Sequence, residues 1–267
     1  MELINNTILI TGGTSGFGFE FASRFLKLGN TVIITGRNRE KLEETKKKLP
    51  RVHIIQSDVS KPHEIINLYE DVAREFPALN ILINNAGEMR MINLHEEWDL
   101  KDLTREIEIN LMGPIRMVQE FLPLLKTKKN AAILNVTSGI ALGPFPLSPI
   151  YGATKSGLRS YTQSLRVQLK NTRVAVFELV APGSTTPLND NFKHLFNETD
   201  GFRWNLMMTP EKIVDQAILG LKRNKFEVYP GIARVMRVMS RLAPKFMLSQ
   251  AAKMSASVMS PVRSLES

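Results

Sequence analysis

The sequence predicts an α/β protein with a single domain built around a doubly wound parallel sheet. Short β-branched and apolar runs alternate with longer segments of helical periodicity, which is the pattern of repeated β-α-β units. The strand-like runs are mostly apolar throughout, as expected for strands that helices cover on both faces. The predicted strands are Thr7–Thr11, Thr31–Thr35, Val52–Gln56, Ile81–Asn84, Ala131–Thr137, Arg173–Leu179 and Phe226–Tyr229. The predicted helices are Phe17–Leu28, Arg39–Leu49, His63–Phe76, Leu103–Lys126, Ile150–Lys170 and Pro210–Arg223.

The composition excludes cysteine-based sites, and the sequence has no recognisable signal for export or membrane insertion. The chain has 267 residues, of which 43% are hydrophobic and 23% are charged, as in ordinary soluble globular proteins. It has no cysteine, which excludes disulfides, thiolate catalysis and cysteine-based zinc sites. The four histidines have no paired metal-ligand spacing, so we predict surface positions and no metal site; they are His53, His63, His95 and His194. Neither a signal peptide nor a membrane span is recognisable, and we expect a cytoplasmic protein.

The positive charge is concentrated at the C-terminal end. The formal net charge is +9, and residues 231–267 contain six basic residues against one acidic residue, so they contribute +5. We therefore divide the chain into a domain at 1–230 and a basic, methionine-rich extension at 231–267 that is not an independent domain. The charge alone does not indicate nucleic-acid binding, because the chain has no recognisable base-reading element or aromatic platform.

The extension begins with an amphipathic helical pattern. Its apolar stripe consists of Ile232, Val235, Met236, Met239 and Leu242, and Arg234, Arg237 and Arg241 occupy the opposite face. Such a helix either packs on its own domain or on a partner subunit, or lies on an anionic membrane. We expect the packed arrangement, with the arginines in water, and keep peripheral membrane contact as the less favoured alternative.

A glycine-rich turn follows the first predicted strand. Thr11–Gly18 reads T-G-x-x-x-G-x-G and leads directly into a helix. Glycines let backbone N–H groups approach a pyrophosphate, and the helix N-terminus adds partial positive charge. The turn lacks the G-K-[ST] ending of a phosphate-transfer loop, so nucleotide hydrolysis is not predicted. A turn that merely permits tight strand-to-helix packing is the structural alternative.

Three further residues suggest acid–base chemistry. Tyr151 and Lys155 are four residues apart on one helical face, and Ser138 ends a strand thirteen residues before the tyrosine. A phenol titrates near pH ~10, and lowering its pKa by about three units needs roughly 4 kcal/mol of phenolate stabilisation. A close ammonium and a cationic cofactor ring could supply this. Because G-x-S-x-G is absent, Ser138 is better explained as a hydrogen-bond donor than as a nucleophile.

These motifs resemble the compact short-chain dehydrogenase/reductase family. Thr11–Gly18, Asn84–Gly87, Ser138 and the Tyr151/Lys155 pair occur in the family's order and at its distances, and the similarity spans about residues 5 to 230. The resemblance implies a single Rossmann-type domain with seven parallel strands and a nicotinamide cofactor. The layout is similar to the subgroup encoded beside teichoic-acid D-alanylation genes in Gram-positive bacteria.

The resemblance also implies catalytic roles. Tyr151 is the expected acid/base, tuned by Lys155, which also holds the ribose hydroxyls, and Ser138 would hydrogen-bond the substrate oxygen. Asn110 matches the family's asparagine whose carbonyl, at a helix kink, holds a water linked to the lysine. Gly113-Pro114 can produce such a kink. A capping serine and a buried polar asparagine are the structural alternatives for Ser138 and Asn110.

The end of the second strand indicates NADP(H) rather than NAD(H). NAD-binding proteins of this type place an acid there for the ribose 2′-hydroxyl. In this chain the position holds Gly36, and Arg37 follows. Glycine leaves room for a 2′-phosphate, and arginine can bind it bidentately. An ordinary solvent-exposed arginine is the alternative.

Other cofactor contacts follow from the resemblance. Asp58-Val59 resembles the pair that contacts adenine, and Asn85 is the expected contact within Asn84–Gly87. In Ala181–Pro187 the family's threonine usually falls one position later, so Thr185 and Thr186 both stay open, with Thr186 the better candidate. The predicted cofactor-binding residues are Gly12, Ser15, Gly16, Phe17, Gly18, Arg37, Asp58, Val59, Asn85, Tyr151, Lys155 and Thr186.

Together these features predict an NADP(H)-dependent oxidoreductase that interconverts an alcohol and a ketone or aldehyde. A catalytically silent nucleotide-binding or scaffolding protein, acting through its basic tail, is the alternative. The resemblance implies a homodimer or homotetramer with Ile150–Lys170 at a dimer interface. Two irregular segments, Glu88–Asp102 and Ser184–Met208, should flank a partly apolar substrate pocket above the carboxyl edge of the sheet.

Overall fold

A computed structural model describes residues 1–192 and 207–256 of the chain. Within these residues, seven parallel strands form one sheet in the order β3-β2-β1-β4-β5-β6-β7. The strands are β1 Thr7–Thr11, β2 Thr31–Gly36, β3 His53–Gln56, β4 Leu79–Asn84, β5 Ala131–Ser138, β6 Val174–Ala181 and β7 Glu227–Val228. The predicted fold class is confirmed.

The helices alternate with the strands through most of the chain. They are α1 Gly16–Lys27, α2 Arg39–Lys48, α3 Pro62–Glu75, α4 Leu100–Ile107, α5 Gly113–Lys126, α6 Pro149–Gln168, α7 Pro210–Lys222, α8 Ala233–Leu242 and α9 Pro244–Ala256. Short 3-10 turns lie at Gly139–Leu142 and Pro187–Phe192. Proline is the first residue of α3, α6, α7 and α9, a position where the missing N–H costs no intrahelical hydrogen bond.

Both faces of the sheet are buried beneath helices. Successive residues of β1 alternate between the faces: Ile8 and Ile10 pack with α1 and α7, whereas Leu9 packs with α3, α5 and α6. Phe21 and Phe25 of α1 are fully buried in the first of these clusters. Burying each such side chain stabilises the fold by about 2–3 kcal/mol.

The predicted helical segment Leu103–Lys126, in which the sequence placed a kink at Gly113-Pro114, is interrupted in the structure. Two helices occupy this region, and a π-helical turn at Glu108–Met112 separates them. Pro114 explains the interruption, because it has no N–H to donate to the carbonyl of Asn110 four residues earlier. The break therefore lies at the asparagine and beside the proline that the sequence marked as a kink.

The irregular segments differ in part from their predicted extents. The first is shorter than predicted, because α4 begins at Leu100. The second contains the 3-10 turn Pro187–Phe192, and its residues 193–206, including His194, lie outside the described residues. β7 contains only Glu227 and Val228, because the pairing with β6 extends over two residues.

The C-terminal helices α8 and α9 pack beside the segment that follows the carboxyl end of β5. Ala233 is buried with Val180 and Tyr229, and the Arg237 guanidinium lies 4.5 Å from the centre of the Tyr229 ring. Arg237 also pairs with Glu227 at 3.4 Å, so it is held by the domain instead of extending freely into water. Within the described residues, no helix combines the length and apolar character that crossing a bilayer requires.

Candidate active site

A cavity of about 880 Å³ lies at the carboxyl ends of the parallel strands. Residues that follow β1, β2, β4, β5 and β6 line it, so the sheet brings together segments that are far apart in sequence. The chain reverses its strand order at β1, which has β2 on one side and β4 on the other. Ligands of open α/β sheets bind in the crevice at this switch point.

The glycine turn forms one wall of the cavity and fits an anionic group. Gly12 and Gly16 have φ values of +66° and +52°, and a Cβ at Gly12 would lie 2.8 Å from the Cα of Ala86. Ser15 is the N-cap residue of α1, and in the described structure its side chain makes no capping hydrogen bond. The helix therefore presents N–H groups and partial positive charge to a pyrophosphate.

Two of the predicted cofactor residues maintain the shape of this turn. Gly18 lies behind it, where a Cβ would overlap the carbonyl oxygen of Gly12. The Asn85 side chain donates to the carbonyl oxygens of Thr11 and Gly12, at 3.0 and 3.1 Å. Asn85 also lines the cavity, so it can serve both as a support and as a contact.

Positive side chains lie at the end of the cavity beside β2. Arg37 and Lys41 both line the cavity, as do Asp58 and Val59. Sequence reasoning missed Lys41, although its position in the first turn of α2 was a usable signal. The backbone N–H of Lys41 donates to the side chain of Asn38 at 2.9 Å, which anchors that turn.

Thr186 lines the cavity, whereas Thr185 is exposed to solvent. The methyl carbon of Thr186 would lie 3.3 Å from a Cβ at Gly16, so this threonine packs directly beside the glycine turn. Of the two threonines left open by the sequence, Thr186 is therefore the one with access to a ligand in the cavity.

Tyr151, Lys155 and Ser138 lie together at the other end. Tyr151 and Lys155 are 5% and 4% exposed, and the lysine Nζ lies 5.7 Å from the centre of the tyrosine ring. Ser138 lies beside the Tyr151 hydroxyl, close enough for hydrogen bonding with the serine to oppose the rise in the pKa of the phenol. Ser138 Oγ also accepts from the N–H of Ile140 at 3.3 Å, so the serine caps the following 3-10 turn as well.

Burial, rather than charge, dominates the titration of the pair. It raises the pKa of Tyr151 to about 12; the hydrogen bond with Ser138 opposes this rise, and nearby Glu106 adds to it. Burial also lowers the pKa of Lys155 to about 8, and its Nζ donates to the carbonyl of Val136 at 3.0 Å. The protein alone thus favours a neutral phenol, in contrast to the lowered pKa expected from the sequence.

Asn110 holds the segment that follows β4. It is fully buried in the π-helical turn, where its Oδ1 accepts from the N–H of Glu88 at 2.9 Å. Its Nδ2 donates to the Glu88 carbonyl at 2.7 Å and to the Thr154 hydroxyl at 3.3 Å. A Cβ at Gly87 would lie 3.2 Å from Asn110 Oδ1 and 3.6 Å from Lys155 Nζ, so Asn110 lies close behind the lysine.

Comparison with known proteins accounts for this arrangement. The family model of the short chain dehydrogenase matches residues 6–195, which include the glycine turn, Ser138, Tyr151 and Lys155. The chain belongs to the short-chain dehydrogenase family. It is 39% identical over 235 residues to the uncharacterized oxidoreductase DltE of Bacillus subtilis (strain 168), across 85% of this chain and 89% of that protein. Both the family resemblance and the narrower DltE-like subgroup are confirmed, and with them an oxidoreductase acting on CH–OH groups.

Solved structures of family members share the fold. A short chain dehydrogenase from Burkholderia cenocepacia J2315, in complex with NADP, superposes with a TM-score of 0.80 at 23% identity, covering 94% of this chain and 99% of that one. A short chain dehydrogenase/reductase from Burkholderia phymatum, in complex with NAD, has a TM-score of 0.79 at 22% identity and covers both chains completely. The same fold thus holds either nucleotide, so local residues must decide between them.

Two of the cavity residues come from the predicted pocket segment Glu88–Asp102, and two others were not predicted. Glu88 and Arg90 of that segment line the cavity, as do Met236 and Met247 of the C-terminal helices. The methionine content of the extension was the available signal for the last two. Within the described residues, no group of three or more histidine or acidic side chains is arranged to hold a metal ion.

Proposed function

We propose that the protein is an NADP(H)-dependent oxidoreductase that interconverts an alcohol and a ketone or aldehyde. The placement of Ser138, Tyr151 and Lys155 on one cavity wall, with Tyr151 and Lys155 buried one helical turn apart, carries the proposal. These groups share one cavity with the glycine turn, so a nucleotide and a small carbonyl compound can meet there. The catalytically silent alternative is not favoured.

The proposed chemistry requires a proton donor beside the substrate oxygen. When bound, a nicotinamide nucleotide supplies a hydride to the carbonyl carbon or accepts one from the alcohol. Tyr151 donates a proton to the carbonyl oxygen during reduction, and Ser138 orients that oxygen by a hydrogen bond. With a pKa of about 12, Tyr151 holds its proton at neutral pH. The Lys155 ammonium stabilises the phenolate left after proton transfer.

Different residues of the cavity would bind different parts of the nucleotide. Backbone groups of residues 12–17 would hold the pyrophosphate, and Asp58 and Val59 would contact the adenine. Lys155 would also hold the ribose hydroxyls, and Thr186 would contact the nicotinamide carboxamide. Arg37 and Lys41 favour NADP(H), because two cations at the end of β2 attract a 2′-phosphate.

The assembly and location form part of the same proposal. We propose a homodimer or homotetramer that pairs through α6, whose residue Val167 is exposed and apolar, and we propose a cytoplasmic location. Light scattering on the purified protein tests the oligomeric state, and cell fractionation tests the location. Liposome binding would support the less favoured membrane contact of the basic extension.

A reductase screen tests the activity. Aldehydes and ketones are offered with NADPH or NADH, and cofactor oxidation is followed by absorbance. Tyr151→Phe should reduce turnover roughly 100- to 10,000-fold, because it removes only the proton donor. Tyr161→Phe is the matched control, since it changes a tyrosine elsewhere on α6 and should leave turnover within about twofold. Equal turnover by Tyr151→Phe and the native protein would refute the mechanism.

A further inference from the structure

The C-terminal helices form a wall of the substrate end of the cavity. Met236 of α8 lies against Gly139, the residue after Ser138: its sulfur would be 3.2 Å from a Cβ at that glycine. Met247 of α9 lies equally close to Gly143. Both glycines line the cavity. The extension therefore covers the segment that joins Ser138 to Tyr151.

The side chains around this end are predominantly apolar. We define the apolar chamber as the part of the cavity lined by Met89, Phe145, Met207, Met236, Met247 and Met254. Tyr151 belongs to the same buried cluster as Met89, and Phe145 and Met254 pack against that cluster. The acid/base hydroxyl thus adjoins an apolar space. Methionine side chains suit this position, because they adapt to flexible apolar ligands.

In the part of the chain that the structure describes, the charged side chains beside the chamber are already in ion pairs. Among the described residues, the cation next to Met89 is Arg90, which pairs with Asp102 at 2.7 Å and lies 3.7 Å from Glu106. Glu88, which also lines the cavity, pairs with Arg105 at 2.5 Å. Within residues 1–192 and 207–256, a carboxylate or phosphate on the substrate would therefore have to displace an existing ion pair to gain a counterion here.

We propose that the substrate is an aldehyde or ketone with an extended, uncharged apolar chain that occupies the apolar chamber. This inference rests on the proposed function and specifies its substrate class. The carbonyl group lies at Ser138 and Tyr151, and the chain extends between α8–α9 and the segment that contains Met89. Each methylene removed from water in the chamber adds to binding.

A chain-length series tests the substrate class. The native enzyme is assayed with NADPH and the straight-chain aldehydes from propanal to octanal. We expect kcat/KM to rise roughly three- to fourfold per methylene until the chamber is filled. The charged analogue 8-oxooctanoate should be at least about tenfold poorer than octanal, because the described charges beside the chamber, Arg90 and Glu88, are already in ion pairs. A flat series, or a preference for 8-oxooctanoate, would overturn the proposal.

A near-isosteric variant tests whether Met236 of the apolar chamber contributes to binding the substrate chain. Met236→Gln should lower the ratio of kcat/KM for octanal to kcat/KM for propanal by at least about fivefold. Leu242→Gln is the matched control, since Leu242 lies on the same helix and is 77% exposed. Equal effects of Met236→Gln on both aldehydes would contradict a chain-binding role.

A binding measurement separates the two proposals. Calorimetric titration with 1-octanol and 1-butanol needs no turnover, and octanol should bind at least about tenfold more tightly to the native protein. If no aldehyde is reduced, the proposed function fails, while the titration still decides whether the chamber binds an apolar chain. If propanal is reduced and octanol binds no better than butanol, the substrate class fails and the proposed function stands.

Discussion

Arg37 and Glu88 face each other across the cavity, with Nη1 of the arginine 3.7 Å from Oε2 of the glutamate. Arg37 follows β2 and Glu88 follows β4, so the pair spans the opening above β1. A 2′-phosphate bound to Arg37 would compete with the carboxylate of Glu88. This contact makes cofactor preference a property of two segments rather than of Arg37 alone.

Removing Arg37 should weaken NADPH binding selectively. Arg37→Ala deletes a charge-assisted contact worth about 1.5–3 kcal/mol, so the Kd for NADPH should rise roughly 10- to 150-fold while the Kd for NADH stays nearly unchanged. Fluorescence titration measures both constants. Arg39→Ala is the control, because Arg39 pairs with Glu43 at 2.5 Å on the exposed face of α2. A parallel loss of NADH binding would contradict the 2′-phosphate assignment.

Neutralising Glu88 should have the opposite effect. Glu88→Gln removes the competing carboxylate, so the Kd for NADPH should fall by a factor of about two to ten, as expected for a partly exposed ion pair. The same titration gives the result. Unchanged NADPH affinity would mean that Glu88 does not hold Arg37 in solution.

The activity should decline in mildly alkaline solution. The pKa of Lys155 is lowered to about 8, and lysine is charged only below its pKa. As the pH rises through about 8, the free enzyme loses the ammonium, so kcat/KM for NADPH should fall roughly tenfold per pH unit. Tyr151, with a pKa of about 12, stays protonated throughout this range. Steady-state kinetics between about pH 6 and about pH 10 tests this profile. Circular dichroism over the same range is the control for folding.

Replacing Asn110 should destabilise the protein. Asn110→Ala leaves the N–H and carbonyl of Glu88 without their side-chain partner, which should cost about 1–3 kcal/mol in the free energy of unfolding. Urea denaturation measures the loss. Asn171→Ala, at an exposed turn, should change stability by less than about 0.5 kcal/mol. Equal stability of the two variants would refute the structural role of Asn110.

Gly18 should not tolerate a methyl group. In Gly18→Ala the new Cβ overlaps the carbonyl oxygen of Gly12, so the turn must shift. We expect the free energy of unfolding to fall by about 1–3 kcal/mol, and NADPH binding to weaken by about the same amount. Gly152→Ala is the control within α6, since its Cβ would make an ordinary contact with Ile140 at 3.5 Å. That variant should be neutral or stabilised by up to about 1 kcal/mol. Urea denaturation and NADPH titration compare the two.

The parts of the fold that were predictable depend on local sequence. β1 has the predicted bounds, because a continuous apolar run next to a glycine turn specifies both a buried strand and its end. Tyr151 and Lys155 share a helical face through their four-residue spacing alone. The helix break near Asn110 was only partly predictable: Pro114 marked a kink, but the π-helical form of the turn over Glu108–Met112 is visible only in the structure.

The fold class, the glycine turn and the spacing of the acid–base residues could all be read from the amino-acid sequence, since short-range geometry controls all three. Tertiary structure decided which groups meet from distant segments: Arg37 with Glu88, Asn110 with Glu88 and Thr154, and Met236 with Gly139. It also decided the direction of the Tyr151 pKa shift. The desolvation of a phenol depends on everything packed around it, whereas sequence spacing reports only its neighbours on one helix.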